Sequence, residues 1–217
     1  MLRDLTFPKR FLTYCSGLLI LALGTALFPL SRLGASAVVA LPVVFTHCTS
    51  LTLGQGTFCV FGLLVFMQII LEGRIRLKTL LQLPFSLLFG ALVDFYTLTL
   101  GLGNWQPEAW SSRLLLVIAA ILATSTGALL MVKGDFILNA PDGFVAQWAQ
   151  KRQQSFGQTK LHFDCCLLVL AAISGLFFNG SLTGLGIASF IAVFSVGRLI
   201  NRLDRYFFKE KHQAVKN

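Results

Sequence analysis

Six stretches of this chain run for about 18 residues or more with few charges, and no other feature limits its fold as tightly. They are Phe11–Leu30, Leu53–Leu71, Leu77–Leu98, Arg113–Val132, Leu161–Phe178 and Leu182–Leu203. As helices, stretches of that length cross a hydrocarbon layer of roughly 30 Å. A water-soluble domain of 217 residues cannot bury 55% hydrophobic residues at a mean hydropathy of +0.75, because most of a small protein faces solvent. Gly and Pro within the runs are compatible with membrane helices. The expectation is an all-α integral membrane protein with six transmembrane helices.

The net charge of +9 invites a nucleic-acid reading, but the placement of the charges argues against one. With six crossings and a cytoplasmic N-terminus, 16 of the 18 Lys and Arg residues fall on the cytoplasmic side, leaving only Arg32 and Arg113 outside. That is the positive-inside bias of an inserted protein. Both termini are then cytoplasmic. The basic tail Arg202–Lys216 reads as a topology determinant that touches anionic lipid, so the bilayer is a partner and nucleic acid is not. Met1–Leu30 reads as a retained helix rather than a signal peptide, because no small-residue cleavage site ends it. The five cysteines show no ligand spacing and most lie in apolar runs, where Cys packs as a small hydrophobe.

Sliding the chain by 103 residues lays Gly24 on Gly127, Leu27 on Leu130, Gly54 on Gly157, Gln55 on Gln158 and Leu64 on Leu167. About four more residues of shift place Gly73 on Gly180 and Gly90 on Gly197. The expected organisation is a first repeat over 1–104 and a second over 105–217. Each has a long helix, a short segment, and two more long helices. The short segments, 36–49 and 141–154, are too short or too polar to span and are either re-entrant or interfacial. Three crossings per repeat make the second half enter from the opposite face. Inverted repeats with short helices at matching positions are a recurring build of secondary transporters.

The candidate site gathers in the second half. Asn139-Ala140-Pro141-Asp142-Gly143 has the grammar of a helix start, in which Asn139 or Asp142 caps free N–H groups and Pro141 sits in the first turn. The same N-terminus also suits a solute. Gln158, Lys160 and Asp164 open the fifth long helix, with Lys160 and Asp164 four apart on one face. Arg198 lies near the cytoplasmic end of the sixth. Asp142, Lys160, Asp164 and Arg198 are expected at one depth, as a structural lock or as a solute-binding or gating set. The mirrored level offers Gln55 and Asp94. The first-half counterpart of the short helix, Ala37–Pro42, lacks polar residues, which tilts any site toward the second half.

No HExxH, nucleophile elbow, P-loop or usable carboxylate pair is present, and His47, His162 and His212 are scattered. Neither enzyme chemistry nor a metal or cofactor is expected.

The segment LNAPDGFVAQWAQKRQQSFGQTKLHFD, with its Pro-Asp-Gly half-helix, Phe-Gly turn and Lys…Phe-Asp helix start, resembles the YczE/YyaS/YitT group of bacterial membrane proteins. So does the ending GSLTGLGIASFIAVFSVGRLINRLDRYF, with its Gly197-Arg198 pair. The first half matches more loosely through RLGAS, LTLGQGTF and GALVDF, and departs where Ala35-Ser36-Ala37 replaces the group's Pro-Trp or Pro-Asp. The resemblance implies a bacterial inner (plasma) membrane protein. The expected function is a small secondary transporter or permease for an unidentified small solute, an anion among the candidates. The alternative is an accessory membrane protein that binds partner membrane proteins, and a homo-oligomer is compatible with either.

Overall fold

The structure, a computed structural model, describes residues 7–105, 107–182 and 184–207, and every regular element among them is helical. The helices are α1 (Phe7–Leu30), α2 (Ala37–Cys48), α3 (Leu53–Glu72), α4 (Leu77–Leu80) and α5 (Gln82–Asp94), the last continuing into a π-helical turn at Phe95–Thr99. A 3-10 turn at Leu102–Asn104 leads to α6 (Trp110–Gly134), α7 (Ala140–Arg152), α8 (Phe156–Asn179) and α9 (Ile187–Phe207). Both short helices form, at 37–48 and 140–152, close to the expected 36–49 and 141–154. The basic tail is described only as far as Phe207. The rest of it, like Arg3, lies outside the described residues.

Five helical segments, not six, have the length and apolarity of membrane spans among the described residues: Phe7–Leu30, Leu53–Ile70, Leu77–Thr99, Trp110–Gly134 and Phe156–Phe178. α9 is long enough at 21 residues but carries Arg198, Arg202, Asp204 and Arg205 in its second half. Two starts also differ from the sequence reading. α8 begins at Phe156 rather than Leu161, because Ser155 caps it. α9 begins at Ile187 rather than Leu182, because Gly180 and Gly184 take left-handed φ values of 63° and 75° and hold that stretch out of a helix. Outward faces are apolar, as lipid requires: Phe66 and Ile70 on α3, Leu115 on α6, and Ile173 and Phe177 on α8 are all exposed.

α1 and α6 run antiparallel and form the central seam. Tyr14 faces Gly134, Gly17 faces Leu130 and Gly24 faces Thr124, so one number rises as the other falls. A Cβ at Gly17 would stand 2.9 Å from Leu130 Cβ, and one at Gly24 would stand 2.7 Å from Thr124 N. Only glycine permits backbones this close, and such contact drives association where lipid offers no hydrophobic gain.

Around the seam the same local devices occur twice. Thr52 and Gln55 make a capping box at the start of α3, and Ser155 and Gln158 make one at the start of α8. Gly73 ends α3 and Gly180 ends α8, both at φ 63°. α5 crosses α3 where Gly90 lies on Gly54, and α9 crosses α8 where Gly197 lies on Gly157. One turn beyond each crossing a polar side chain reaches the cap. Asp94 accepts from Thr52 Oγ1 at 2.7 Å and from Gly54 N at 2.8 Å, and Asn201 Nδ2 donates to Ser155 Oγ at 3.4 Å.

α2 packs on α8 and α7 packs on α3, but the two contacts differ. The first is sealed by Ala37, Leu167 and Val193, with Val38, Leu41 and Leu168 around them. Between α3 and the C-terminal half of α7 lies a pocket of about 720 Å³.

A Cβ added at Gly90 or Gly197 would stand 2.6 Å from the carbonyl oxygen of Gly54 or Gly157. Gly90→Ala and Gly197→Ala should therefore each lower stability by about 1–3 kcal/mol. Gly62→Ala in α3, whose nearest neighbour is Leu83 Cδ2 at 3.9 Å, should be neutral or stabilising by up to about 1 kcal/mol. Thermal unfolding in detergent separates these outcomes, and equal behaviour of the three variants would contradict the packing described.

Candidate functional site

A helix that starts inside a bundle exposes N–H groups that lipid cannot satisfy, so its first turn must meet protein or solute. α2 and α7 both start this way, and their lead-in segments are tied down by hydrogen bonds. Ahead of α7, Tyr14 Oη donates to Ile137 O at 2.5 Å and Arg10 Nη2 donates to Gly134 O at 3.0 Å. Ahead of α2, Ala35 N donates to Gly184 O at 2.7 Å and Leu33 O accepts from Ala188 N at 2.9 Å. These anchors bring the N-cap residues Ser36 and Asn139 to one buried cavity of about 30 Å³, the room of about one water molecule.

The second-half wall of that cavity is charged. Asn139 Oδ1 accepts from Asp142 N at 3.1 Å, the capping bond anticipated for this motif, and Pro141 occupies the first turn. Lys160 Nζ lies 3.1 Å from Asp142 Oδ1 and 3.2 Å from Asp164 Oδ1. All three charged side chains are buried, with Lys160 2% exposed. A lysine between two carboxylates leaves one negative charge in excess. The positive ends of α2 and α7 oppose it, each equivalent to about half an elementary charge.

The first-half wall is different. Ser36 caps α2 without a side-chain hydrogen bond to its first turn. Under the shift of 103, Asp142, Lys160 and Asp164 fall on Val39, Thr57 and Phe61, all buried and none of them lining the cavity. Thr25 and Thr124 also line the cavity, and Thr124 Oγ1 is buried with no hydrogen-bond partner among the described residues.

The remaining candidates lie elsewhere. Arg198, expected at the depth of the triad, is exposed on α9 with its guanidinium 5.9 Å from the Phe194 ring, because its position on the helix turns it away from α8. Gln55 and Gln158 are exposed and spend their side chains on the capping boxes of α3 and α8. Asp94 closes the α5–α3 crossing on the same Thr52 cap that Gln55 completes, and neither residue lines the central cavity. Sequence reasoning missed Ser36, although the shift of 103 that it used lays Ser36 directly on Asn139. It also missed the threonines, whose signal is only that polar residues interrupt the apolar faces of α1 and α6.

The chain matches the model of a family of unknown function, DUF6198, over residues 8–205, and it belongs to that family. No curated protein and no solved structure matches it.

Replacing Lys160 by Met leaves two apposed carboxylates buried without a cation. Lys160→Met should lower stability by roughly 3–5 kcal/mol, whereas the all-neutral combination Asp142→Asn, Lys160→Met, Asp164→Asn should recover most of that loss. Unfolding of the purified variants checks this. A single variant as stable as the parent would contradict the triad.

Proposed function

We propose, for this member of a family of unknown function, that the chain is a small secondary transporter or permease working by alternating access between two inverted halves. The observation that carries the reading is the meeting of Ser36 and Asn139, the N-caps of the two short helices, at one buried cavity beside the Asp142–Lys160–Asp164 triad. α1 and α6 hold matching places in residues 1–104 and 105–217 yet run antiparallel, which supports inversion. The paired capping boxes and Gly–Gly crossings support the repeat. In this reading α9 is the sixth crossing, the short helices are re-entrant, and both termini face the cytoplasm of a bacterial inner membrane. The relationship to the YczE/YyaS/YitT group belongs to the same proposal.

The unequal short-helix contacts supply the motion. α2 is closed on α8 while α7 stands open from α3 at the end rich in Arg and Lys, which the charge bias assigns to the cytoplasm. Rocking would close the second contact and open the first. Charge balance then selects the solute. An entering anionic group competes for Lys160 and the free N–H groups of α2, and a carboxylate displaced from Lys160 can stay buried only by taking a proton or a cation. Uptake of a small anion together with a proton or cation follows.

Two outcomes test this. In a cysteine-free background, Ser50→Cys should react with an impermeant maleimide only from outside and Gln154→Cys only from the cytoplasm. Reaction of both from one side would end the inverted arrangement. In proteoliposomes, anions that raise the melting temperature of the purified protein should drive gradient-dependent uptake. Asp164→Asn should cut that uptake at least about tenfold, the weight of one lost charge-assisted contact, while the exposed Arg198→Ala keeps it. Full activity of Asp164→Asn would contradict the reading.

A further inference from the structure

The pocket of about 720 Å³ between α3 and α7 shares no lining residue with the central cavity. Its size falls in the range of small-molecule sites, roughly 300–1,000 Å³. Four cations line it, Arg74 and Arg76 from the turn after α3 and Lys151 and Arg152 from the last turn of α7, against the single carboxylate of Glu72. Arg76 Nε stands 3.6 Å from Glu72 Oε2, and the Arg152 guanidinium lies 5.0 Å over the Trp148 ring. Deeper in, Gln68 is 1% exposed, and both its amide nitrogen and its amide oxygen lack a hydrogen-bond partner among the described residues. A buried amide with neither end satisfied is costly, and here it lines a pocket large enough to admit the missing partner.

We propose that this pocket binds an organic phosphate, its phosphate held by the basic rim and its neutral polar part reaching Gln68. Guanidinium forks pair with phosphate oxygens through parallel N–H bonds. Arg76 is set against Glu72, whose two oxygens are buried without a hydrogen-bond partner among the described residues. Arg74, Lys151 and Arg152 still leave the rim cationic, which favours phosphate. Gln68 offers both a donor and an acceptor, matching a hydroxyl-bearing group at the inner end. Trp148 and Phe144 supply the apolar wall between. A soluble metabolite and a glycerophospholipid headgroup carry this same chemistry. The site stands whether or not the central triad moves a solute.

The test is the melting temperature of the full chain in neutral detergent with glycerol 3-phosphate or with phosphatidylglycerol, using glycerol and phosphatidylcholine as controls. A saturable rise with glycerol 3-phosphate assigns a soluble ligand, and a rise with phosphatidylglycerol alone assigns a headgroup. Either supports the site. The apparent affinity should fall about 100-fold in Arg74→Ala/Arg152→Ala and about tenfold in Gln68→Leu, from the loss of charged and neutral hydrogen bonds respectively. The proposal is overturned if neither phosphate raises the melting temperature beyond its control, or if either variant binds as tightly as the parent.

Discussion

A lysine can remain deep in an apolar bundle only where carboxylates meet it, and Lys160 is met by two. Much of the second half follows from that contact. Asp164 comes from one turn further along α8, so it needs no tertiary help. Asp142 comes from the first turn of α7, so α7 must begin inside the bundle and lie against α8. That in turn requires the extended lead-in after α6, held by Arg10 and Tyr14 from α1. The antiparallel α1–α6 seam, made close by glycines, sets where that lead-in can start.

The two halves share a scaffold and differ in chemistry. Capping boxes, Gly–Gly crossings and left-handed glycine stops recur at matching positions, and each is a backbone device that works whatever the neighbouring side chains are. The side chains at matching positions are free to diverge, and they have: buried Val39, Thr57 and Phe61, none of which lines the cavity, stand where Asp142, Lys160 and Asp164 stand in the other half. One wall therefore offers backbone N–H groups and the other offers charges. A single excess negative charge faces two positive helix ends, a balance that a small ion or proton can tip.

The long helices were legible because apolar runs have few alternative folds, and the Asn139 cap was legible because Asn-x-Pro-Asp at a helix start is local chemistry. Lys160 with Asp164 was legible for the same reason. Their joining to Asp142 was expected from depth alone, and depth misled for Arg198, whose direction around α9 decides its fate. Gln55 and Gln158 match each other in the repeat, but the residues three positions earlier, Thr52 and Ser155, give each of them the capping-box pattern. Ser36 went unremarked because it carries no charge, although its place opposite Asn139 is what turns two short helices into one cavity. The basic pocket was invisible because Gln68 and Arg152 come from different repeats.

Alternating access, as proposed, requires the α3–α7 and α2–α8 contacts to exchange open and closed forms about the triad. Spin labels at Ile75 and Gln150 span the first contact, and labels at the matching positions Leu182 and His47 span the second, all four sites being exposed. Pulsed electron resonance distances in lipid nanodiscs should show two populations for each pair, with Asp164→Asn shifting the two pairs in opposite directions. One fixed distance per pair, unmoved by Asp164→Asn, would contradict it.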